Sequence, residues 1–427
     1  MANLLQRFQD WVDSLSDLQK QIMLATGLIV GALIMGFLIY WVFFRSLITT
    51  TPVENANNEN INGNANLPGI NFNDNRNNVS NGNTNGSLPT VDTVAKGGNT
   101  LSQVIYDGDA KDVTLSGDGQ EVQYYDPVTG KFYKIDKNGQ IVLLDDKVFK
   151  GVTDVTWSNE ADKAVMTLED GYKVLYDFTQ NKQYTLNKDM TEFDFSPKDD
   201  QIGFKYMGEN STERWVGVAN VDGTGARGIE PLGNNGDLLK VQWSPSGQAI
   251  GVLNDYVDAE HKKIVPIGFN NENFKQFIVK GRGFDYKWTP SGKSMIYSTY
   301  SSDSNYSATL NIVDAYGDTI GNNNKPLELA TSVDKCSFSK TGNDLYCAVP
   351  VNPPTGSGIA PDKLNSVAHD IYHVNLVTGQ KEKIATPADA VSGTNLGGPS
   401  NIMVSDDGSL LYYREATSGK LRRILLK

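Results

Sequence analysis

The sequence predicts an all-β fold, a seven-bladed β-propeller set behind an N-terminal transmembrane helix and a disordered linker. Three observations predict it. A short phrase returns seven times after residue 110: a hydrophobic residue, Ser or Thr, a polar turn usually holding Gly or Pro, then a second hydrophobic strand. Its Ser/Thr positions (Ser116, Ser158, Ser196, Ser244, Thr289, Ser339, Ser405) are separated by 42, 38, 48, 45, 50 and 66 residues, the period of a propeller blade. Residues 22–44 form an apolar run without a formal charge. Between run and repeats lies a stretch packed with Asn, Gly, Thr and Ser.

Residues 1–21 place Leu4, Leu5, Phe8, Trp11, Val12, Leu15 and Leu18 at helical spacing, opposite Gln6, Gln9, Asp10, Asp13 and Asp17. This is an amphipathic helix, suited to the membrane surface or to a partner helix. The 23 residues of 22–44 span about 34 Å as a helix, enough to cross a hydrocarbon core of about 30 Å. Tyr40 and Trp41 supply an interfacial anchor and Arg45 ends the run. No small-x-small cleavage site precedes Arg45, so the segment reads as an uncleaved signal anchor. Arg7 and Lys20 on the N-terminal side favour a cytoplasmic N-terminus and a propeller outside. Gly27 and Gly31 offer a small-residue face through which two such helices can dimerise. The segment 45–99 cannot bury enough apolar surface to offset its ordering entropy and reads as a flexible tether.

The propeller is assigned residues 100–427. In the second repeat, 152–157, 163–168, 172–177 and 182–186 run from innermost to outermost strand. The last repeat has three strands before the chain ends, whereas 101–106 precedes the first repeat without a blade of its own. That N-terminal strand is therefore expected to complete the last blade and close the ring, protecting an edge that would otherwise pair with other chains. Six or eight blades remain as alternatives to seven. The aromatics before the Ser/Thr (Trp157, Phe195, Trp243, Trp288, Phe338) are expected to pack between blades. Cys336 and Cys347 flank the 338–345 hairpin at equal distance, so the register sets them opposite each other, close enough for a disulfide.

The runs Phe195-Ser196-Pro197-Lys198-Asp199, Trp243-Ser244-Pro245-Ser246-Gly247 and 216–227 resemble the repeats of TolB-type propellers. Similar repeats build the propellers of prolyl oligopeptidase and dipeptidyl peptidase relatives. The resemblance covers about residues 100–427 and implies the fold; the repeat serves binding proteins and enzyme accessory domains alike.

Chemistry is sparse. No Gly-x-Ser-x-Gly elbow occurs. His369 and His373 have metal-pair spacing for a helix, but their surroundings alternate like a strand. Asp107, Asp109 and Asp112 fail the usual Ca²⁺-loop pattern. The reading therefore names no catalytic residue, metal site or cofactor. A net charge of -12 with no Lys/Arg stripe argues against nucleic acid. The better lead is loop length. Residues 350–365 interrupt the sixth repeat, 386–400 link it to the seventh, and 256–261 is a shorter companion in the fourth. Loops after second and fourth strands leave a propeller on the same face, where long loops often bind. Tyr256, His261, Pro353, Pro354, Ile359, Leu364 and Leu396 are the candidate contacts, and deleting 352–363 is expected to spare folding but weaken capture. The favoured function is a non-enzymatic, single-pass protein of the cytoplasmic membrane that binds an envelope protein, peptide or glycan. The alternatives are an enzyme with an acidic site at the channel mouth, acting on glycans or peptides, and a structural component of a membrane complex.

Overall fold

The computed structural model describes Met35 and residues 91–270, 272–389 and 396–427. The amphipathic helix at 1–21, the span at 22–44 with its Gly27/Gly31 face, and the tether up to residue 90 lie outside the described residues, Met35 excepted. Among the described residues no helix is long and apolar enough to cross a membrane.

Seven antiparallel sheets follow one another along the chain. Each grows outward from a first strand: Lys111–Leu115, Val152–Trp157, Met190–Phe195, Leu239–Val241, Arg282–Trp288, Cys336–Phe338 and Pro399–Val404. First strands of blades 1 to 4 touch in succession, as do those of blades 6, 7 and 1, and the Lys240–Asp285 pair and the Lys287 bond to the Cys336 carbonyl link blades 4, 5 and 6, which makes these strands the inner ring. The core is divided accordingly. Each of the seven buried apolar clusters joins two neighbouring blades, as Tyr125 and Phe132 of blade 1 meet Val155, Met166 and Tyr176 of blade 2. A propeller sheet has two apolar faces, and only a neighbour on each side can cover both. Trp157 and Trp288 sit in these layers as expected, and their indole N–H groups donate to Asp112 and Gln242 carbonyls of the preceding blade.

The recurring Ser/Thr closes the first hairpin of each blade. In all seven its N–H donates to the carbonyl five residues on, as Ser405 to Leu410. In six, its Oγ also accepts the N–H of that residue, as from Leu410. The residue three after it takes positive φ every time: Gly119, Ala161, Asp199, Gly247, Gly292, Gly342 and Gly408. Glycine adopts this without a Cβ penalty, whereas other residues lose about 1 kcal/mol. Asp199 offsets that cost: its carboxylate accepts N–H groups of Asn159 and Glu160 at 3.0 and 2.9 Å, clamping blade 3 to blade 2. Asp199→Ala keeps the strained φ but loses both of these bonds and a third from the Asn159 side-chain amide. It should cost about 2–3 kcal/mol, read as a lower denaturation midpoint with an unchanged m-value.

The ring closes as expected, with an addition the sequence did not announce. Gln103–Tyr106 is the outer strand of blade 7, antiparallel to Leu421–Leu425. Just before it, Asn99–Leu101 runs parallel to Lys381–Ala388 and becomes a fifth strand on blade 6. Bridges from Asp92 and Val94 extend this strap, so the ordered propeller begins before residue 100 and the segment 91–99 belongs to it rather than to the tether. Ser102, buried between the two strands, bonds to the Tyr413 hydroxyl at 2.6 Å and receives Arg422 at its carbonyl at 3.0 Å.

Candidate functional site

Blade 6 carries the long insertion between its second strand, Asp344–Pro350, and its third, His369–Asn375. Its fourth strand runs on to Ala388, so the link to blade 7 spans 389–398 rather than 386–400, and residues 390–395 of it lie outside the described residues. The insertion folds back over blade 5. Gly356 and Gly358 donate N–H bonds to the Asn305 and Tyr306 carbonyls at 3.0 and 2.7 Å, in the loop between the second and third strands of that blade. A Cβ on Gly358 would stand 2.7 Å from the Tyr300 Cβ, so only glycine permits this approach. On its other side, Asn365 accepts the Gly398 N–H, joining the insertion to the blade 6–7 link. One continuous rim thus covers blades 5, 6 and 7 on a single face.

The candidate contacts divide. Ile359 is 60% exposed, Pro354 is exposed, and Pro353 and Leu396 are half-buried on this rim. Leu364 is buried, so it anchors the insertion instead of meeting solvent. Tyr256 and His261 belong to blade 4, with blade 5 between them and the insertion. Tyr256 is exposed beneath the Lys262 ammonium, and His261 Nδ1 faces Asp258. Beneath the insertion lies a cavity of about 290 Å³, bounded by Asp285, Ser298, Thr299, Tyr300, Asp334 and Ser357 among others.

The inner ring carries a row of charged and polar side chains, with a pattern that is visible in the sequence and easily overlooked. Four residues before every recurrent Ser/Thr stands a polar side chain: Asp112, Asp154, Glu192, Lys240, Asp285, Lys335 and Asn401. Most of them satisfy the next blade. Asp112 accepts from Val155 N–H and Glu192 from Val241 N–H, Asn401 donates to the Val113 carbonyl and Lys335 to that of Pro399, and Lys240 pairs with Asp285 at 2.5 Å. Two further members act alike: Asp194 accepts from Trp243 N–H, and Lys287 donates to the Cys336 carbonyl at 2.8 Å. A first strand has no strand partner on its channel side, so its backbone polar groups need these side chains. Burial lowers the pKa of Lys287 and Lys335 and raises that of Asp154. It also pushes Asp112 up to about 6, with Asp154 adding to the rise.

Asp194 is pushed up to about 7 by burial, against the hydrogen bonds from Trp243 and Phe195. An Asp that binds its proton more tightly folded than unfolded favours folding when protonated. That advantage fades as pH rises from about 4 through about 7. Asp194→Asn keeps an acceptor without charge. It should raise stability by roughly 2 kcal/mol above pH 7 and flatten this part of the stability–pH curve, measured by urea titration at pH 5 and pH 8.

The remaining groups are separated. His369 and His373 lie four apart on one strand, about 13 Å along it. His369 is buried and pushed down to about 4 by that burial and by Lys335, while His373 Nε2 contacts Asp344 at 2.9 Å. Asp107 pairs with Lys420 and Asp109 with Arg414, both bonds tying the start of blade 1 to blade 7. Among the described residues no group of three His, Cys, Asp or Glu side chains could hold a metal ion.

No protein-family model matches the chain, and no curated protein matches it. Solved structures do. The β-propeller domain of Cps50 (Swd1) from Myceliophteria thermophila is 12% identical with a TM-score of 0.50, over 77% of this chain and 100% of that one. Hydrazine synthase from Kuenenia stuttgartiensis is 14% identical with a TM-score of 0.47, over 73% of this chain and 94% of that one. An oligogalacturonate lyase from Vibrio parahaemolyticus is 10% identical with a TM-score of 0.45, over 77% and 91%. The first of these likenesses speaks to the fold alone and agrees with the seven sheets: this chain is a seven-bladed β-propeller.

Proposed function

We propose that this chain is a non-enzymatic, single-pass membrane protein whose propeller, held outside the cytoplasm, binds an envelope protein, peptide or glycan through the rim over blades 5–7. The observation that carries the reading is the insertion itself. It is held in one shape by bonds to blade 5 and to the blade 6–7 link, yet leaves Ile359 and Pro354 outward. A rigidly presented loop on a stable scaffold loses little entropy on binding. The apolar run at 22–44, the Asn-rich tether and the buried cysteine pair support the location. The likeness of the repeats to TolB-type propellers fits a binding role without fixing the partner. Most charged groups of the inner ring already satisfy neighbouring backbone, which argues against an active site there.

A photocrosslinking residue at Ile359, in the full chain in its native membrane, should yield a discrete adduct. The same residue at Val377, 74% exposed on the hairpin between the third and fourth strands of blade 6, should not. Equal labelling from both positions would remove the rim from the proposal. An enzyme remains a second reading because Asp112 and Asp154 are adjacent carboxylates with raised pKa. Its test is whether Asp154→Asn abolishes a hydrolytic or lytic activity of the purified chain on envelope glycans or peptides.

A further inference from the structure

Resting on the rim reading above, we infer that the cavity under the insertion is a receptor for one basic side chain, Lys or Arg, of the bound partner. The lining decides its chemistry. Two carboxylates, Asp285 and Asp334, border it together with the hydroxyl-bearing Ser298, Thr299 and Ser332 and with Ser357 of the insertion, and no basic residue lines it. Cations do stand nearby, but each is committed. Lys240 and the Tyr286 N–H both take Oδ1 of Asp285, at 2.5 and 2.9 Å. Lys287 and Lys335, which feel the Asp334 charge, donate to the Cys336 and Pro399 carbonyls from buried positions. Asp334 itself is exposed, as are Gly283 and Pro361 at the cavity edge, so a side chain can enter from the channel mouth.

Size agrees with charge. About 290 Å³ lies at the lower end of ligand pockets and suits one extended side chain rather than a cofactor. The hydroxyls supply further acceptors for the several N–H donors of an ammonium or guanidinium. Asp285 already has Lys240, whereas no residue of the lining pairs with Asp334, so an acidic or neutral partner would leave the Asp334 charge without a cation in the cavity, which costs affinity. The insertion thus borders the cavity as well as presenting a surface, and Ser357 and Leu364 of it line the space into which the basic side chain would reach.

The test uses the full chain in detergent micelles and two uncharged-flank pentapeptides, one with a central arginine and one with citrulline, titrated calorimetrically. The arginine peptide should bind at least 10-fold more tightly. Asp334→Asn and Asp285→Asn should each weaken it by about 10-fold and leave the citrulline peptide unchanged. Asp334 is exposed, so its variant tests the pairing without disturbing the fold. Equal affinity for the two peptides, or arginine binding indifferent to both variants, overturns the inference. Rim crosslinking from Ile359 that survives such a result leaves the rim reading standing, whereas arginine selectivity without rim crosslinking defeats that reading alone.

Discussion

Deleting residues 91–106 from the full chain should abolish cooperative unfolding and drive the protein into soluble aggregates. This strap joins the ring's two ends twice over. Backbone bonds run from Ala95 to Leu425, Gly97 to Ile384, Thr386 to Gly98 and Ser102 to Ala388, beyond the ladder with Leu421–Leu425. At about 1 kcal/mol net per hydrogen bond, their sum approaches the 5–15 kcal/mol that stabilises a whole domain. The deletion also bares the apolar edges of blades 6 and 7, which then pair with other copies. A finer variant separates pinning from coverage. Arg422 sits buried against Glu415, and Arg422→Ala leaves that carboxylate with the Ser418 hydroxyl but without a cation, a loss of about 3 kcal/mol. Calorimetry and size-exclusion chromatography check both. A strap deletion that unfolds in one sharp transition near the parent temperature would show that the ring is sealed by other contacts.

The paired cysteines carry the second large effect. Cys336 and Cys347 face each other across the first hairpin of blade 6, with Cα atoms 4.1 Å apart and a disulfide between them. Both are fully buried in the layer between blades 5 and 6. Closing a loop of sequence separation 11 restricts the unfolded chain by about 3 kcal/mol. The double variant Cys336→Ala/Cys347→Ala should therefore lose about 3 kcal/mol, a fall of roughly 4 °C in Tm for a domain of this size. Protein purified without reductant should yield no alkylated cysteine until it is both unfolded and reduced. Quantitative alkylation of the unreduced chain would mean that the thiols are free where the protein works. The layer is the one beneath the insertion, so the loss of rigidity should also weaken partner binding.

Short-range pattern made much of this legible. The Ser/Thr phrase repeats because a hairpin five residues wide needs an Oγ acceptor and a positive-φ residue at fixed places, and both are local demands. The cysteine register followed from the same hairpin, since antiparallel pairing conserves the sum of residue numbers. The rim was located but its members were not sorted. Leu364 looked like a contact because an apolar residue in a loop carries no mark of whether it points in or out. The inner-ring side chains were missed although their spacing is regular, four residues before each Ser/Thr. A polar residue in a strand reads as solvent-facing, and only ring closure shows that its partner is the backbone of the next blade.

By itself, then, the sequence pointed to seven blades with six or eight left open, and to their order, the closure through the N-terminal strand and the pairing of the cysteines; the structure settled the number at seven. Each depends on residues close in the chain or on a ring having to end where it began. The tertiary structure alone decided that the strap also covers blade 6, that the insertion leans onto blade 5, and that Asp285 and Asp334 border one cavity under it. Those contacts join residues from different blades, and a repeat that looks alike seven times cannot encode which blade's loop will reach across to its neighbour.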